Sequence, residues 1–392
     1  METKRKATLN SDDSPYCLDE TVEIRERIRG DLADIVTGIL ETVRPVCPVN
    51  AVVLVGGFGR GEGGIVTRDG RPRPVNDYDL LVLIPRRSIL TKRRIRGVLP
   101  GLSARLEEQL GVAVDLDVRD PADLAAAPNI IAWYEVQVGN RIIWGDESAL
   151  EPMPPMDPCG IPLWDGTLLL FNRAGGLLIA RRMLLENKLK SADDRSYLVI
   201  QLSKSALALG DCLLIREKRY CASYVERLNR ADSLDISNVP DGAEIVAGYK
   251  KALAQKVRPD FAPLIERDLQ GWFEETVARH ASFFKWWEEE RWGRSFDTWR
   301  EYTEAVPIKL GERGSRLKNF AANILRLGPP VEFRRFMLPL SERIIDAMPL
   351  LLFEPTEENL ARAAKILRLS STAADETTLQ VQLINHYVSL WH

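Results

Sequence analysis

At 392 residues, 45% of them apolar and 28% charged, the chain has globular composition and length for roughly two or three hydrophobic cores. Its net charge of −3 supplies no global field for a polyanion or a membrane surface. Three histidines, His280, His386 and His392, argue against a multi-histidine metal site or a Ser-His-Asp triad, which leaves carboxylates, lysines and arginines to carry chemistry.

Residues 1–17, "METKRKATLNSDDSPYC", lack the apolar core of a signal peptide and read as a disordered lead-in. Five cysteines without a paired short spacing point to reduced thiols. No run reaches the ~20 apolar residues of a membrane span, so the expected location is the cytoplasm, with no membrane partner. From Leu18 to Val43 apolar residues recur at helical spacing, and Pro45 ends the pattern. "NAVVLVGG" (50–57) and "DLLVLI" (79–84) have the profile of buried strands. Between 87 and 111 the period is helical, with an expected break at Pro100–Gly101. "VAVDLDVRD" (112–120) alternates, with Val112, Val114, Leu116 and Val118 on one face and Asp115, Asp117 and Arg119 on the other. "NRIIWGDESAL" (140–150) adds one more strand and turn.

Strands separated by helices predict an α/β or α+β domain with a small mixed sheet over 18–150. The proline-rich stretch 151–162 reads as a linker. Residues 163–392 have helical period almost throughout and predict an all-α domain, with a subdivision near 330 as an option. Its expected helices are Leu163–Leu189, Tyr197–Arg216, Ala243–Gln255, Ala262–Arg291, Arg313–Leu327, Glu342–Leu352 and Glu357–Leu369. Trp272, Thr276, His280, Phe283 and Trp287 fall at three- or four-residue steps, which is core spacing, with a stacking platform for a base as the rarer use.

The segment "GGFGRGEGGIVTRDGRPRPVNDYDLLVLI" (56–84) carries the chemistry. Glycines directly after a strand let backbone N–H groups approach an anion, because no Cβ stands in the way. The loop matches neither GxxxxGK[ST] nor a GxGxxG that opens a long helix. Asp77 and Asp79 share one face of the strand entrance. Such close carboxylates repel, and a hard cation with oxygen ligands resolves the conflict; Mg²⁺ favours one or two carboxylates plus substrate phosphates. Asp115 or Asp117, on a neighbouring strand, would complete a three-carboxylate cluster suited to a two-metal site.

The order strand, Gly-Gly loop, D-x-D strand and a further acidic strand resembles the nucleotidyltransferase superfamily, which includes DNA polymerase β, kanamycin nucleotidyltransferase and the minimal nucleotidyltransferases. "GGFGRGE" looks like the "GGYGRGE" loop of uridylyltransferase-type members, and "LGVAVDLDVRD" is similar to "LG..VDLVDLRD" of minimal members. The resemblance covers about residues 50–150. It implies that Gly56 and Gly57 hold phosphates of a nucleoside triphosphate, that Asp77 and Asp79 bind Mg²⁺, and that Asp115, with Asp117 second, supplies the third carboxylate. Two departures stand out: Gly57 replaces a frequent serine, and residues 65–74 form an insertion expected to be a hairpin turning at Asp69–Gly70, with Arg68, Arg71 and Arg73 on it.

Arg60 fits a phosphate contact or a capping role, and Glu62 a partner for Arg60 or a neighbouring strand. Lys204 is either a snorkelling helix lysine or, by resemblance to two-domain members, a phosphate ligand. The expected reaction is Mg²⁺-dependent transfer of a nucleoside monophosphate to a hydroxyl, with release of pyrophosphate. A small-molecule acceptor is favoured over a protein side chain or RNA. The rival is a nucleotide-binding regulatory protein without turnover.

Overall fold

The computed structural model describes residues 6–68, 71–75, 77–305, 309–311, 315–327, 336–369 and 375–391. The option of a subdivision near 330 falls outside the described residues. The chain divides into two compact units: Met1–Ile161 with Lys218–Asp232 and Leu253–Asp260, and Pro162–Glu217 with Ser233–Ala252 and Phe261–His392. The residues between 218 and 260 that join the first unit lie inside the stretch expected to be wholly a separate helical domain.

The first unit is mixed α/β. Helix α1 (Val22–Val43) starts at Thr21, whose Oγ1 accepts from the Ile24 N–H at 3.3 Å, and buries Ile28, Leu32, Ile35, Ile39 and Val43. Strand β1 (Ala51–Leu54) leads into a single helical turn, α2 (Gly56–Gly59). Strands β2 (Ile65–Arg68) and β3 (Arg71–Pro74) pair antiparallel as the expected hairpin, whose turn, Asp69–Gly70, lies outside the described residues. Strand β4 (Tyr78–Leu83), helix α3 (Ile89–Leu110) and strand β5 (Val114–Arg119) form a parallel crossover unit. Short helices α4 (Pro121–Ala125) and α5 (Ile131–Val138) precede β6 (Arg141–Gly145). The sheet order is β5-β4-β1-β6, with only the β4–β5 pair parallel.

One sheet face, carrying Val52, Leu54, Tyr78, Leu80, Val82, Val114 and Val118, packs with α1 and α3. The other carries Val53, Leu81 and Leu83 against Leu124 and Met153. Under the first face Asp31 accepts from the Tyr78 hydroxyl at 3.1 Å and from Arg27 Nε at 3.2 Å, and burial pushes its carboxyl above the ordinary aspartate range.

Three expectations need correction here. Helix α3 runs unbroken through Pro100, because Ile95, Leu99, Leu102, Leu106 and Leu110 form one buried stripe. Their burial, at about 1.5–3 kcal/mol each, outweighs the ~3 kcal/mol cost of an interior proline. Residues 6–17 are no loose lead-in: the Asn10 N–H donates to Ile143 O at 2.8 Å, Arg141 donates to Ser14 O and Pro15 O at 2.9 Å, and Tyr16 is buried beneath that guanidinium. The 151–162 stretch contributes Met153 to the first unit's core rather than acting only as a linker.

In the second unit every described regular element is helical. Helices α6 (Leu163–Leu185), α7 (Ala192–Arg216) and α11 (Leu269–Trp292) form its centre, joined by α9 (Gly242–Val257), whose Tyr249 hydroxyl donates to Asp211 of α7 at 2.6 Å. The helix expected over Ala262–Arg291 is split, with α10 (Ala262–Ile265) ending before Asp268 caps α11. Likewise the 342–352 helix divides into Leu340–Ile345 and Ala347–Leu352. Helix α7 is the one helix among the described residues long and apolar enough to cross a membrane, and 67% of that window is buried within the protein.

From Thr276 to Trp287 the aromatic stripe is core, and Trp272 is half-buried. His280, Phe283 and Trp287 are buried, Trp287 Nε1 donates to Thr167 at 3.0 Å, and Thr167 donates to buried Glu288 at 2.6 Å. His280 Nδ1 meets Ser205 Oγ at 2.8 Å, and burial lowers its pKa from 6.5 to about 4. The ring is therefore neutral in the folded protein at pH 7. As pH falls from 6.5 toward 4 the unfolded chain gains a proton that the folded chain refuses, so stability present above 6.5 is lost across that window. Urea unfolding followed by tryptophan fluorescence should lose about 3 kcal/mol more between pH 7 and pH 4 in the wild type than in His280→Gln; equal losses would contradict it.

Candidate metal and phosphate site

The site sits where β4 and β5 leave their hydrophobic register. Tyr78, Leu80 and Val82 point to the α1–α3 core, so Asp79 faces the opposite way, with Leu81 and Leu83. On β5 the same alternation buries Val114 and Val118 and turns Asp115 to Asp79's side. Asp79 and Asp115 are direct partners in the parallel register. Asp77, two residues before Asp79, joins them. One carboxylate oxygen from each of Asp77, Asp79 and Asp115 lies within 4.8 Å of the others; the first two residues are half-buried and Asp115 is exposed.

Asp117, left open as an alternative third acid, lies one pleat further along the same face. Its Oδ1 accepts from the Val118 N–H at 2.8 Å, and its other oxygen pairs with Arg119, whose guanidinium lies over Trp133. The geometry therefore gathers Asp115, not Asp117, with the D-x-D pair.

Gly56 adjoins the cluster. Its φ of +67° belongs to the left-handed region, and a Cβ there would stand 2.3 Å from Asp79 Oδ2. Both conformation and space require glycine. The Val55 N–H donates to Asp79 O at 2.9 Å, so the start of the loop is tied to the strand bearing the carboxylate. Gly57 differs: its Cβ would meet Glu62 O at an ordinary 3.4 Å, leaving room for a small side chain such as serine. The first N–H groups of the following turn have no acceptor inside it.

The donor set fits a hard divalent cation: three carboxylates, all oxygen, beside a backbone cradle that a Cβ would fill. The pair Asp77 and Asp79 with Asp115 would hold it.

Arg60 is placed elsewhere. Its guanidinium is nearly buried, with Nη1 3.1 Å from Glu135, Nε 3.7 Å from Glu62 and its plane over Tyr224. Its partners are protein groups, so the phosphate contact weighed for it finds no support in the geometry. Lys204 lies on α7 in the second unit and is half-buried. On the hairpin Arg73 is exposed; the side chains of Arg68 and Arg71 lie outside the described residues. A cleft of about 510 Å³ has Gly59, Arg60, Glu62, Tyr134 and Arg141 among its walls and none of the three carboxylates.

Two groups around the loop were missed from sequence. Glu135 receives Arg60, Arg227 and the Tyr220 hydroxyl; burial raises its pKa, but Arg227 and Arg60 outweigh this and hold the carboxyl below the ordinary glutamate range. Helix α8 (Tyr224–Ala231) starts at Ser223, whose Oγ accepts from the Glu226 N–H at 3.1 Å. The S-x-x-E spacing of Ser223 and Glu226 was the available signal for that helix.

Comparison with protein families, curated proteins and solved structures gave no match to the chain.

Gly56→Ala is expected to push the Asp79 carboxylate out of the cluster. In Mn²⁺ titrations read by electron paramagnetic resonance it should weaken binding about tenfold or more, whereas Gly57→Ala should stay near wild type. Equal affinities for the wild type and Gly56→Ala would contradict the placement.

Proposed function

We propose that the protein is a Mg²⁺-dependent nucleotidyltransferase. The reading rests on one observation: carboxylates from two neighbouring strands meet within 4.8 Å beside a glycine whose missing Cβ leaves space against Asp79. The motif order along the chain, strand, Gly-Gly, D-x-D and acidic strand, supports it, as does the mixed sheet that carries these residues.

In this reading the Gly56–Gly57 backbone binds the triphosphate and Asp77, Asp79 and Asp115 bind the cation. Bound there, Mg²⁺ would neutralise the triphosphate charge and favour ionisation of the attacking hydroxyl. The acceptor oxygen forms a bond to the α-phosphorus, and the bond from that phosphorus to the bridging oxygen breaks. Pyrophosphate leaves with the electron pair. Asp115, the exposed member of the trio, would take the hydroxyl proton. A small-molecule acceptor remains the favoured substrate class, with a protein side chain or RNA as the others, because the chain's net charge is −3 and a nucleic-acid acceptor calls for a basic face.

Incubating the protein with Mg²⁺, each α-labelled nucleoside triphosphate and a fractionated cell extract should release pyrophosphate and label one acceptor class. Asp77→Asn, Asp79→Asn and Asp115→Asn should each lower the rate about a hundredfold or more, and Asp117→Asn much less. Nucleotide binding without pyrophosphate release would favour the regulatory reading, and unaltered release by Asp79→Asn would overturn the site.

A further inference from the structure

The glycine loop is held from behind by a segment that follows α7. Glu62, five residues after Gly57, is only 5% exposed. Its N–H donates to Gly57 O at 2.8 Å, closing the loop on itself. Its carboxylate accepts from Ser223 Oγ at 2.6 Å, from the Tyr224 N–H at 2.8 Å and from the Val225 N–H at 3.3 Å. A buried carboxylate thus sits on the first turn of α8, where unpaired N–H groups and the helix dipole favour negative charge. Both sides of this contact belong to the first unit.

A second tie runs beside it. Arg60 bonds Glu135 at 3.1 Å and lies over Tyr224, and Arg227 of α8 shares Glu135. Gly59, between the phosphate-side glycines and Arg60, packs so closely that a Cβ would stand 2.7 Å from both Leu54 O and Gly139 O. The loop is therefore pinned by β1 and the end of α5 at Gly59 and by α8 at Glu62, whereas Asp79 stands on β4, Asp115 on β5 and Asp77 just before β4.

We infer that Glu62 is a positioning residue for the triphosphate: by docking on the N-terminus of α8 it fixes the backbone of Gly56 and Gly57 in the geometry that receives phosphate. The inference rests on the nucleotidyltransferase reading of the same site. It separates two functions within that site, since the cation is held by strands and the phosphates by a loop that α8 braces. Loosening the brace therefore weakens nucleotide binding and spares metal binding. A misplacement of about 1 Å in such a loop is enough to cost one to two orders of magnitude in productive binding.

The test compares wild-type full-length protein, Glu62→Gln and Ser223→Ala. Mn²⁺ alone is titrated by electron paramagnetic resonance, and ATP, GTP, CTP and UTP are titrated calorimetrically with Mn²⁺ present. Hydrogen exchange is followed at residues 55–62. Glu62→Gln should keep wild-type Mn²⁺ affinity, lose about tenfold or more in affinity for the tightest nucleotide, and exchange faster over 55–62. Ser223→Ala, which retains the carboxylate charge, should shift the same two readouts in the same direction by less. Nucleotide affinity unchanged in Glu62→Gln overturns the positioning role, and parallel loss of metal and nucleotide affinity assigns Glu62 to general folding instead. Failure of the wild type to bind any of the four nucleotides overturns the nucleotidyltransferase reading itself. Should Glu62→Gln not fold, unaltered nucleotide affinity and exchange in Ser223→Ala would overturn the inference.

Discussion

Asp79 of β4 lies opposite Asp115 of β5 in a parallel pair, and the candidate chemistry depends on that register. A slip by one residue would turn Asp115 into the α1–α3 core and bring Val114 out. What prevents it is apolar burial: Tyr78, Leu80 and Val82 on one strand and Val114 and Val118 on the other all enter one core. Each such side chain contributes about 1.5–3 kcal/mol. Repulsion between two carboxylates whose nearest oxygens lie within 4.8 Å is roughly 1–3 kcal/mol in a partly hydrated site. Hydrophobic register therefore overrides electrostatic repulsion and presents a cluster of negative charge that a cation can satisfy.

The glycine at position 56 belongs to the same constraint. A chain that places a strand-borne carboxylate against the preceding loop must leave the loop bare at the point of contact, and the 2.3 Å clearance from a hypothetical Cβ to Asp79 Oδ2 measures how bare. Other contacts of the loop come from farther away. Glu62 reaches Ser223, 161 positions along the chain, so α8 serves the first unit although it is flanked by helices of the second.

Local patterns in the sequence were enough for the strands and the acids. Alternation in "VAVDLDVRD" assigned the faces of β5, and the spacing of Asp77 and Asp79 marked the strand entrance. The alternation alone did not separate Asp115 from Asp117, since both share a face, and only the resemblance ranked Asp115 first; in the structure Asp115 joins Asp77 and Asp79 while Arg119 pairs with Asp117. Helix α3 was misjudged at Pro100 because a local rule was applied where a five-residue buried stripe governs. The packing of residues 6–17 rests on backbone bonds to β6 and on Arg141, contacts that no periodicity announces. For the same reason Arg60 and Glu62 were visible as charged loop residues while their partners, Glu135 and α8, were not.

The most direct measurement is anomalous scattering from crystals of the protein grown with Mn²⁺ and a nucleoside triphosphate analogue that cannot be cleaved between its α- and β-phosphates. The account predicts Mn²⁺ density shared by Asp77, Asp79 and Asp115, with the phosphates against the backbone of Gly56 and Gly57. Cation density that leaves Asp79 and Asp115 unligated, with the analogue bound elsewhere, would contradict it.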